Sequence, residues 1–340
     1  MPALGEPESL SQHRGLNGAD SIELALRGTD HRYTNLRVAV LVPCFNEAKT
    51  IAAVVSGYRA ALPSAAIYVY DNNSTDGTAE IARAAGAEVR VERLQGKGNV
   101  VRRMFADIDA DVYVLVDGDS TYDPALAPRL IERLVTDRLD MAVGCRATQE
   151  AAAFRAGHRF GNRWLTRSIG LLFGQSFTDV LSGYRVLSRR FVKSFPAMST
   201  GFEIETELTV HALKLRMPTA EIEGAYGARP SGSVSKLNTY GDGLRIWRTI
   251  LRLFRDERPL AFFGIVCLVF AAMSIALGSA VVDGYLRTGV VRQFPTAILA
   301  TGIMVLAVIS LACGLILDSV AKGRRELKRL TYLSIPPVGD

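Results

Sequence analysis

Two stretches near the carboxyl end carry no charged side chain: Pro259 to Val282, 24 residues, and Gln293 to Leu317, 25 residues. A helix rising about 1.5 Å per residue crosses a hydrocarbon layer of about 30 Å in about 20 residues. Each run is therefore long enough for one pass, and the pattern predicts membrane helices over 259–282 and 293–317, followed by a cytoplasmic tail over 318–340. Just upstream, Leu244, Trp247, Ile250, Leu251 and Phe254 recur at helical spacing with arginines between them. That is the pattern of a basic amphipathic helix over 240–258, lying in the headgroup layer. Between residues 35 and 239 the period changes. Val38–Val42, Ile67–Tyr70, Glu88–Val91, Val112–Val116 and Met141–Val143 are short β-rich runs, each separated from the next by enough chain for a crossover helix. Continuous apolar strands joined in this way predict an α/β domain, a mostly parallel sheet with helices on both faces. Residues 1–34, polar and glycine-containing, read as a loose tail.

Charge sharpens the membrane reading. The formal net charge is +6, but residues 1–239 are nearly balanced, with 28 basic and 27 acidic side chains, while residues 240–340 carry 12 against 7. The excess sits beside the apolar runs, which points to a membrane surface as partner and away from nucleic acid. Arg245, Arg248, Arg252, Arg255 and Arg258 precede the first run; Lys322, Arg324, Arg325, Lys328 and Arg329 follow the second. The positive-inside rule then puts the α/β domain and both termini in the cytoplasm, at an inner or plasma membrane. No apolar segment begins the chain, so no signal peptide is expected. Cys44, Cys145, Cys267 and Cys313 have no paired spacing, which argues against a disulfide framework or zinc cluster and suits a reducing compartment. Small residues in the apolar runs, Gly278, Ala280, Gly302 and Gly314, would let helices from several copies pack as a homo-oligomer.

In parallel sheets ligands collect at the carboxyl ends of the strands. Pro43-Cys44-Phe45-Asn46-Glu47 follows the first run, Asp71-Asn72-Asn73-Ser74-Thr75-Asp76-Gly77 the second, and Asp117-Gly118-Asp119 the fourth. One such polar residue is commonly a helix cap, a role open to Asn46 and Asp76, but carboxylates at three successive strand ends indicate a ligand site. Neither G-x-G-x-x-G nor G-x-x-x-x-G-K-[ST] occurs, which argues against a dinucleotide or Walker-type site. Asp117 and Asp119 leave a strand end with one small residue between them. This suits a single hard divalent cation, Mg2+ or Mn2+, whose remaining positions substrate phosphates complete.

Taken together, LVPCFNE (41–47), YDNNSTDGTAEIA (70–82), QGKG (95–98), VLVDGDSTYDP (114–124), GCR (144–146), TDVLSGYRVLSR (178–189), GFEIETEL (201–208) and RPSGSVSK (229–236) resemble a family 2 glycosyltransferase with the GT-A fold. With two C-terminal passes, the chain is similar to the polyprenyl-phosphate glycosyltransferases, the group that contains dolichol-phosphate mannose synthase. The resemblance covers about residues 37–260. It implies that Pro43, Asn46 and Glu47 form the first nucleotide-binding segment, that Asp71 reads the base or ribose, and that Lys97 lies in a nucleotide-contacting loop whose glycines allow close backbone approach. Asp117 and Asp119 become the metal motif, with Asp119 and Asp179 catalytic. Asp179 would stand near sugar and acceptor, and Glu205, among Glu203, Glu205 and Glu207, would touch the donor. Arg146, Arg159 and Arg163 would hold the acceptor phosphate. Arg229, Ser235 and Lys236 match a late motif that folds over the diphosphate, with Ser235 assigned to the acceptor side.

The implied activity is inverting transfer of a hexose-type sugar from a nucleotide diphosphate sugar, UDP favoured over GDP, to undecaprenyl or dolichyl phosphate at the cytoplasmic face. One alternative is transfer to a hydroxyl of a lipid-linked glycan or polysaccharide, although the QxxRW run of processive synthases is missing after the core. A non-catalytic adaptor fits poorly with a full set of aspartates, and a nucleotidyltransferase would want a glycine-rich basic loop where Pro43–Glu47 stands.

Overall fold

The two apolar runs β1 (Val38–Cys44) and β4 (Val112–Leu115) pair side by side in the middle of one sheet, Val38 opposite Val112 through Leu41 opposite Leu115. Strands covered on both faces must be apolar throughout, and β4 is buried along its whole length. In this computed structural model residues 36–146, 177–201, 203–225 and 254–338 are described, with single positions at 170, 227, 248, 251 and 252. All five expected strands form, the others being β2 (Ala66–Asp71), β3 (Glu88–Val91) and β5 (Met141–Arg146). Two more, β6 (Arg185–Ser188) and β7 (Thr219–Gly224), complete a seven-stranded sheet in the order β3-β2-β1-β4-β6-β5-β7. The sheet is mostly parallel, as expected; β6 runs antiparallel to both its neighbours, β4 and β5.

Crossover helices α1 (Ile51–Ala61), α2 (Thr78–Ala84), α3 (Lys97–Asp107) and α4 (Ala127–Thr136) connect the strands, and α5 (Arg189–Ser194) and α6 (Ile204–Leu215) follow β6. α4 buries an apolar stripe of Ala127, Leu130, Ile131 and Leu134, the i, i+3, i+4, i+7 spacing of a helix lying on a sheet.

Two long helices close the chain, α7 (Pro259–Thr288) and α8 (Phe294–Leu333), and both are long and apolar enough to cross a membrane. Each outruns its uncharged stretch: α8 has 40 residues and carries the helix through the basic segment expected to be a tail. Gly289 ends α7 at φ 67°, a left-handed conformation that glycine reaches without strain. The helices pack closely because the buried face of α8 is Ala300, Ala307, Gly314 and Ala321, one small residue every seventh position. Gly314 is used within the chain, since a Cβ there would lie 3.0 Å from that of Phe263, while Gly278 and Gly302 face open space. Ser274 Oγ donates to the carbonyl of Ala300 at 2.7 Å, so its hydroxyl is satisfied between the helices. Leu268, Ile275, Ile298, Val308 and Ile316 stand exposed on the outer surfaces, an apolar belt of the kind that calls for a lipid or protein partner. Of the amphipathic segment over 240–258, Leu244, Trp247 and Ile250 lie outside the described residues.

The packing of α6 against α5 buries one titratable group. His211 lies edge-on to Phe191 and Phe195, with ring centroids 5.2 and 5.3 Å away, and its Nε2 is 3.1 Å from Ser194 Oγ, while Nδ1 has no partner. Burial, aided by the charges of Lys328 and Lys214, pushes the imidazole down to about 3. The unfolded chain binds this proton near pH 6.5 and the folded chain does not. Stability is therefore complete above pH 6.5 and declines, at about 1.4 kcal/mol per pH unit from this group, as the pH falls toward 3. Thermal melts between pH 7 and 4 will show a drop in midpoint that His211→Phe reduces.

Candidate active site

The site at the carboxyl edge of the sheet is built by lacing its loops together. Asn46, held at φ 53°, accepts through Oδ1 from the amide of Thr75 at 2.9 Å and donates its own amide to Ser74 Oγ at 2.9 Å. The amide of Ala48 donates to Asp76 Oδ2, and that of Glu47 to Thr78 Oγ1. Burial raises the Asp76 carboxyl, but the Thr78 hydroxyl and the amides of Ala48 and Thr78 outweigh it and hold the group below the usual carboxylate range. Asp76 thus accepts the amide of Thr78, which opens α2 behind Gly77, and fastens the loop after β1 to the loop after β2. Asn72 makes the next join, donating to the carbonyls of Glu92 (2.7 Å) and Leu94 (2.9 Å) and accepting from the amide of Gly96 (2.7 Å). All three bonds run to the segment that leads into Lys97. Within this frame Asp71 is buried, accepts from the Ser74 amide through Oδ2, and leaves Oδ1 buried without a partner.

Lys97, the first residue of α3, places its ammonium between Asp117 Oδ1, just beyond β4, and Glu205 Oε1, in the first turn of α6. The side chains of Lys97 and Glu205 are only 10% and 8% exposed, whereas Asp117 keeps 30%. Burial pulls the lysine down, but the two carboxylates together hold it well above its ordinary value, so it stays charged. Burial also raises Glu205, against the pull of Lys97. The glycines flanking Lys97 serve this placement. A Cβ at Gly96 or Gly98 would collide with the backbone of Ser199 and Thr200, and the amide of Gly98 donates to Thr200 O at 3.1 Å. Their close approach is to the chain's own backbone ahead of α6.

Asp119 is 6% exposed; its Oδ1 accepts from the Thr121 hydroxyl at 2.6 Å and the Thr121 amide at 3.2 Å. The Asp117 carboxylate lies against Gly183, where any Cβ would displace it. Gly183 belongs to the loop that carries Asp179, and that loop is gripped by opposite charges. Glu221, on β7, accepts the amide of Thr178 with both oxygens (2.9 and 2.9 Å), the amide of Asp179 (3.2 Å) and the thiol of Cys145 (3.2 Å). Arg185, wholly buried at the head of β6, donates to the carbonyls of Val180 (2.7 Å) and Ser182 (3.0 Å) and to Thr209 Oγ1 of α6 (2.9 Å). An anion thus collects the loop's N–H groups and a cation its C=O groups, the arrangement that lets both charges be buried.

Residues 39–195 match the domain described as glycosyl transferase family 2. A glycosyltransferase of Haloferax volcanii, AglJ, is 36% identical over 302 residues, 87% of this chain and 98% of that one. The chain belongs to glycosyl transferase family 2. A second relative from the same organism, named dolichyl-phosphate hexose transferase, is 28% identical over 66% of this chain and 97% of its own length. Among solved structures, glucosyl-3-phosphoglycerate synthase of Mycobacterium tuberculosis, in complex with Mn2+, UDP-glucose and phosphoglyceric acid, shares the fold with a TM-score of 0.54 at 21% identity, covering 67% of this chain and 82% of that one. The protein is a glycosyltransferase with the GT-A fold.

The fold thus gathers Asn46, Glu47, Lys97, Asp117, Asp119, Asp179 and Glu205 on loops and helix starts at one edge of the glycosyltransferase sheet, with Asp71 as the last residue of β2 and Pro43 near the end of β1. Arg146 ends β5 beside Gly224, and its side chain lies outside the described residues, as do Arg159, Arg163, Arg229, Ser235 and Lys236 altogether. Asn72, Arg185 and Glu221 were not foreseen. Among the described residues no three His, Cys, Asp or Glu side chains form a metal cluster. Asp117 and Asp119 nevertheless fit Mg2+ or Mn2+. They offer only hard oxygen donors, one of them in a space that glycine alone leaves open, and such ions take one or two carboxylates with substrate phosphates and water.

Two substitutions separate these supports. Lys97→Met leaves Asp117 and Glu205 facing each other without a counter-charge, a loss of about 3–5 kcal/mol for a buried pair; steady-state sugar transfer will fall at least 100-fold. Glu221→Gln turns one acceptor into a donor facing the Thr178 amide, costing about 1–3 kcal/mol of loop order. Its kcat will fall about 10- to 100-fold, with the KM for donor changed less than threefold.

Proposed function

We propose that this glycosyltransferase moves a hexose-type sugar from a nucleotide diphosphate sugar, UDP favoured over GDP, to a membrane polyprenyl phosphate, with inversion and with a divalent cation. The observation that carries the reading is the Lys97–Asp117–Glu205 cluster at a sheet edge in a chain that ends in two helices long enough to span a bilayer. The relative named dolichyl-phosphate hexose transferase supports the choice of acceptor.

Each described group has work to do in this reaction. The free Oδ1 of Asp71 accepts an N–H of the base or a hydroxyl of the ribose, either of which would satisfy a buried oxygen that now lacks a bond. Lys97 holds Asp117 in place and screens it from Glu205. A divalent cation held by Asp117 and Asp119 would supply positive charge toward the donor's diphosphate as its bond to the sugar breaks. Asp179, on a loop fixed by Glu221 and Arg185, orients the sugar or acceptor. The acceptor phosphate is already anionic at neutral pH and needs alignment more than a base. Attack by its oxygen on the anomeric carbon, opposite the departing nucleotide diphosphate, inverts that centre in one displacement. Arg146, Arg159, Arg163 and Ser235 would hold the acceptor, and Arg229 and Lys236 would neutralise the diphosphate.

The two helices would then hold the enzyme in the lipid that carries its acceptor. Basic flanks at Arg252, Arg255 and Arg258 before α7, and at Lys322, Arg324 and Arg325 after the apolar run of α8, favour an orientation with the catalytic domain and both termini on the cytoplasmic side. Gly278 and Gly302, open on the helix surfaces, are where a second copy would pack.

The test is incubation of the purified full chain with radiolabelled UDP- and GDP-hexoses, Mg2+ or Mn2+, and undecaprenyl phosphate in vesicles. Label will enter the organic phase with a UDP-sugar and will not do so in EDTA. Asp119→Asn will lower transfer at least 100-fold while the protein stays folded in the membrane. Label that appears only when a hydroxyl-bearing glycolipid replaces the phosphate would sink the acceptor assignment.

A further inference from the structure

Beyond Leu317 the helix α8 leaves its apolar run and continues to Leu333. Its buried seam continues as well. After Ala300, Ala307, Gly314 and Ala321 the next seventh residue is Lys328, and four on is Tyr332; both are half-buried, while Leu327, Leu330 and Leu333 beside them are exposed. The face that packs on α7 higher up therefore turns, without a break, to the glycosyltransferase domain. There Tyr332 packs against the domain's hydrophobic core. Its hydroxyl donates to Asp140 Oδ2 at 2.8 Å, and the Arg190 guanidinium lies over its ring, 4.8 Å from the centroid. Asp140 is fully buried and also accepts from Ser188 Oγ (2.8 Å) and from Nε and Nη2 of Arg190.

A second attachment lies at the other helix. Lys214, near the end of α6, pairs with Glu257, two residues before α7, at 2.5 Å, and the two side chains are 6% and 14% exposed. Asp140 directly precedes β5 and Lys214 shortly precedes β7, so both attachments grip the amino edge of the sheet, opposite the active site. They sit at different heights. Glu257 is at the foot of α7, whereas Tyr332 is fifteen residues past Leu317, about 22 Å farther along the helix. One attachment would be a pivot; two at different heights fix a tilt.

We propose that the end of α8 is a strut that sets the height and tilt of the catalytic domain over the bilayer, with Tyr332 as its positioning residue, so that a lipid-borne phosphate meets the carboxyl-edge site. The acceptor in this statement rests on the lipid-phosphate reading above; the docking does not.

The experiment compares the full-length wild type and Tyr332→Phe, which loses one hydroxyl and keeps the ring, in vesicles. Transfer is measured to bilayer-embedded undecaprenyl phosphate and to water-soluble geranyl phosphate. The strut predicts a kcat/KM for the embedded acceptor lowered five- to tenfold, with geranyl phosphate and the donor KM within twofold of wild type. Equal loss on both acceptors, or loss on neither, overturns it. Amide hydrogen exchange over residues 327–333 judges the docking without any acceptor: slow exchange in the wild type that quickens at least tenfold in Tyr332→Phe supports the strut, and rapid exchange already in the wild type overturns it. If the wild type transfers to neither acceptor, the lipid-phosphate reading falls, and the exchange result still decides the strut.

Discussion

One buried ammonium holds the active edge of this glycosyltransferase together. Lys97 stands between carboxylates from two elements far apart in sequence, Asp117 after β4 and Glu205 at the start of α6. Charges removed from water are tolerable only when every partner is present, so the cluster forms whole or not at all. Its neighbours answer to that demand. Gly96 and Gly98 let the chain ahead of α6 come close enough to bring Glu205 in, and Gly183 leaves room for the Asp117 carboxylate.

The loop of Asp179 follows the same logic with separate charges. Glu221 reaches it from the edge strand and Arg185 from beneath, and each is satisfied mainly by main-chain groups of the loop. Arg185 also bonds Thr209, on the helix whose first turn carries Glu205. The loop and the lysine cluster therefore share α6 as a common support. That support runs on toward α7, ending at Lys214 and its ion pair with Glu257.

Elements built on apolar runs were legible in the sequence, and elements built on distant polar contacts were not. Four of the first five strands could be read because each is a short, mostly hydrophobic stretch, and β3, Glu-Val-Arg-Val, because its valines alternate with charged residues. β6 escaped because its four residues begin with arginine and end with serine, both buried for reasons visible only in space. β7 escaped because the edge strand Thr-Ala-Glu-Ile-Glu-Gly is short and offers only one large apolar side chain between two glutamates. At the site, the strand-end motifs led to Asp71, Asp117 and Asp119, and resemblance led to Lys97, Asp179 and Glu205. The purpose of the glycines beside Lys97 was legible only in part, since what approaches them here is backbone from a segment a hundred residues away. Asn72, Arg185 and Glu221 left no spacing signal, because their partners are mostly backbone atoms of other loops. The seven-residue spacing of small side chains in α8 was present in the sequence but hidden among many other alanines and glycines.

Asn72 has a further consequence. A nucleotide is a molecule of nearly constant span, with its ring at one end and its charged end a set reach away. The single carboxamide of Asn72 joins the turn beside Asp71 to the turn ahead of Lys97, and thereby fixes the corresponding span in the protein. In the function proposed above, the edge would act as a gauge: a nucleotide seated beside Asp71 would arrive at the turn ahead of Lys97 in register.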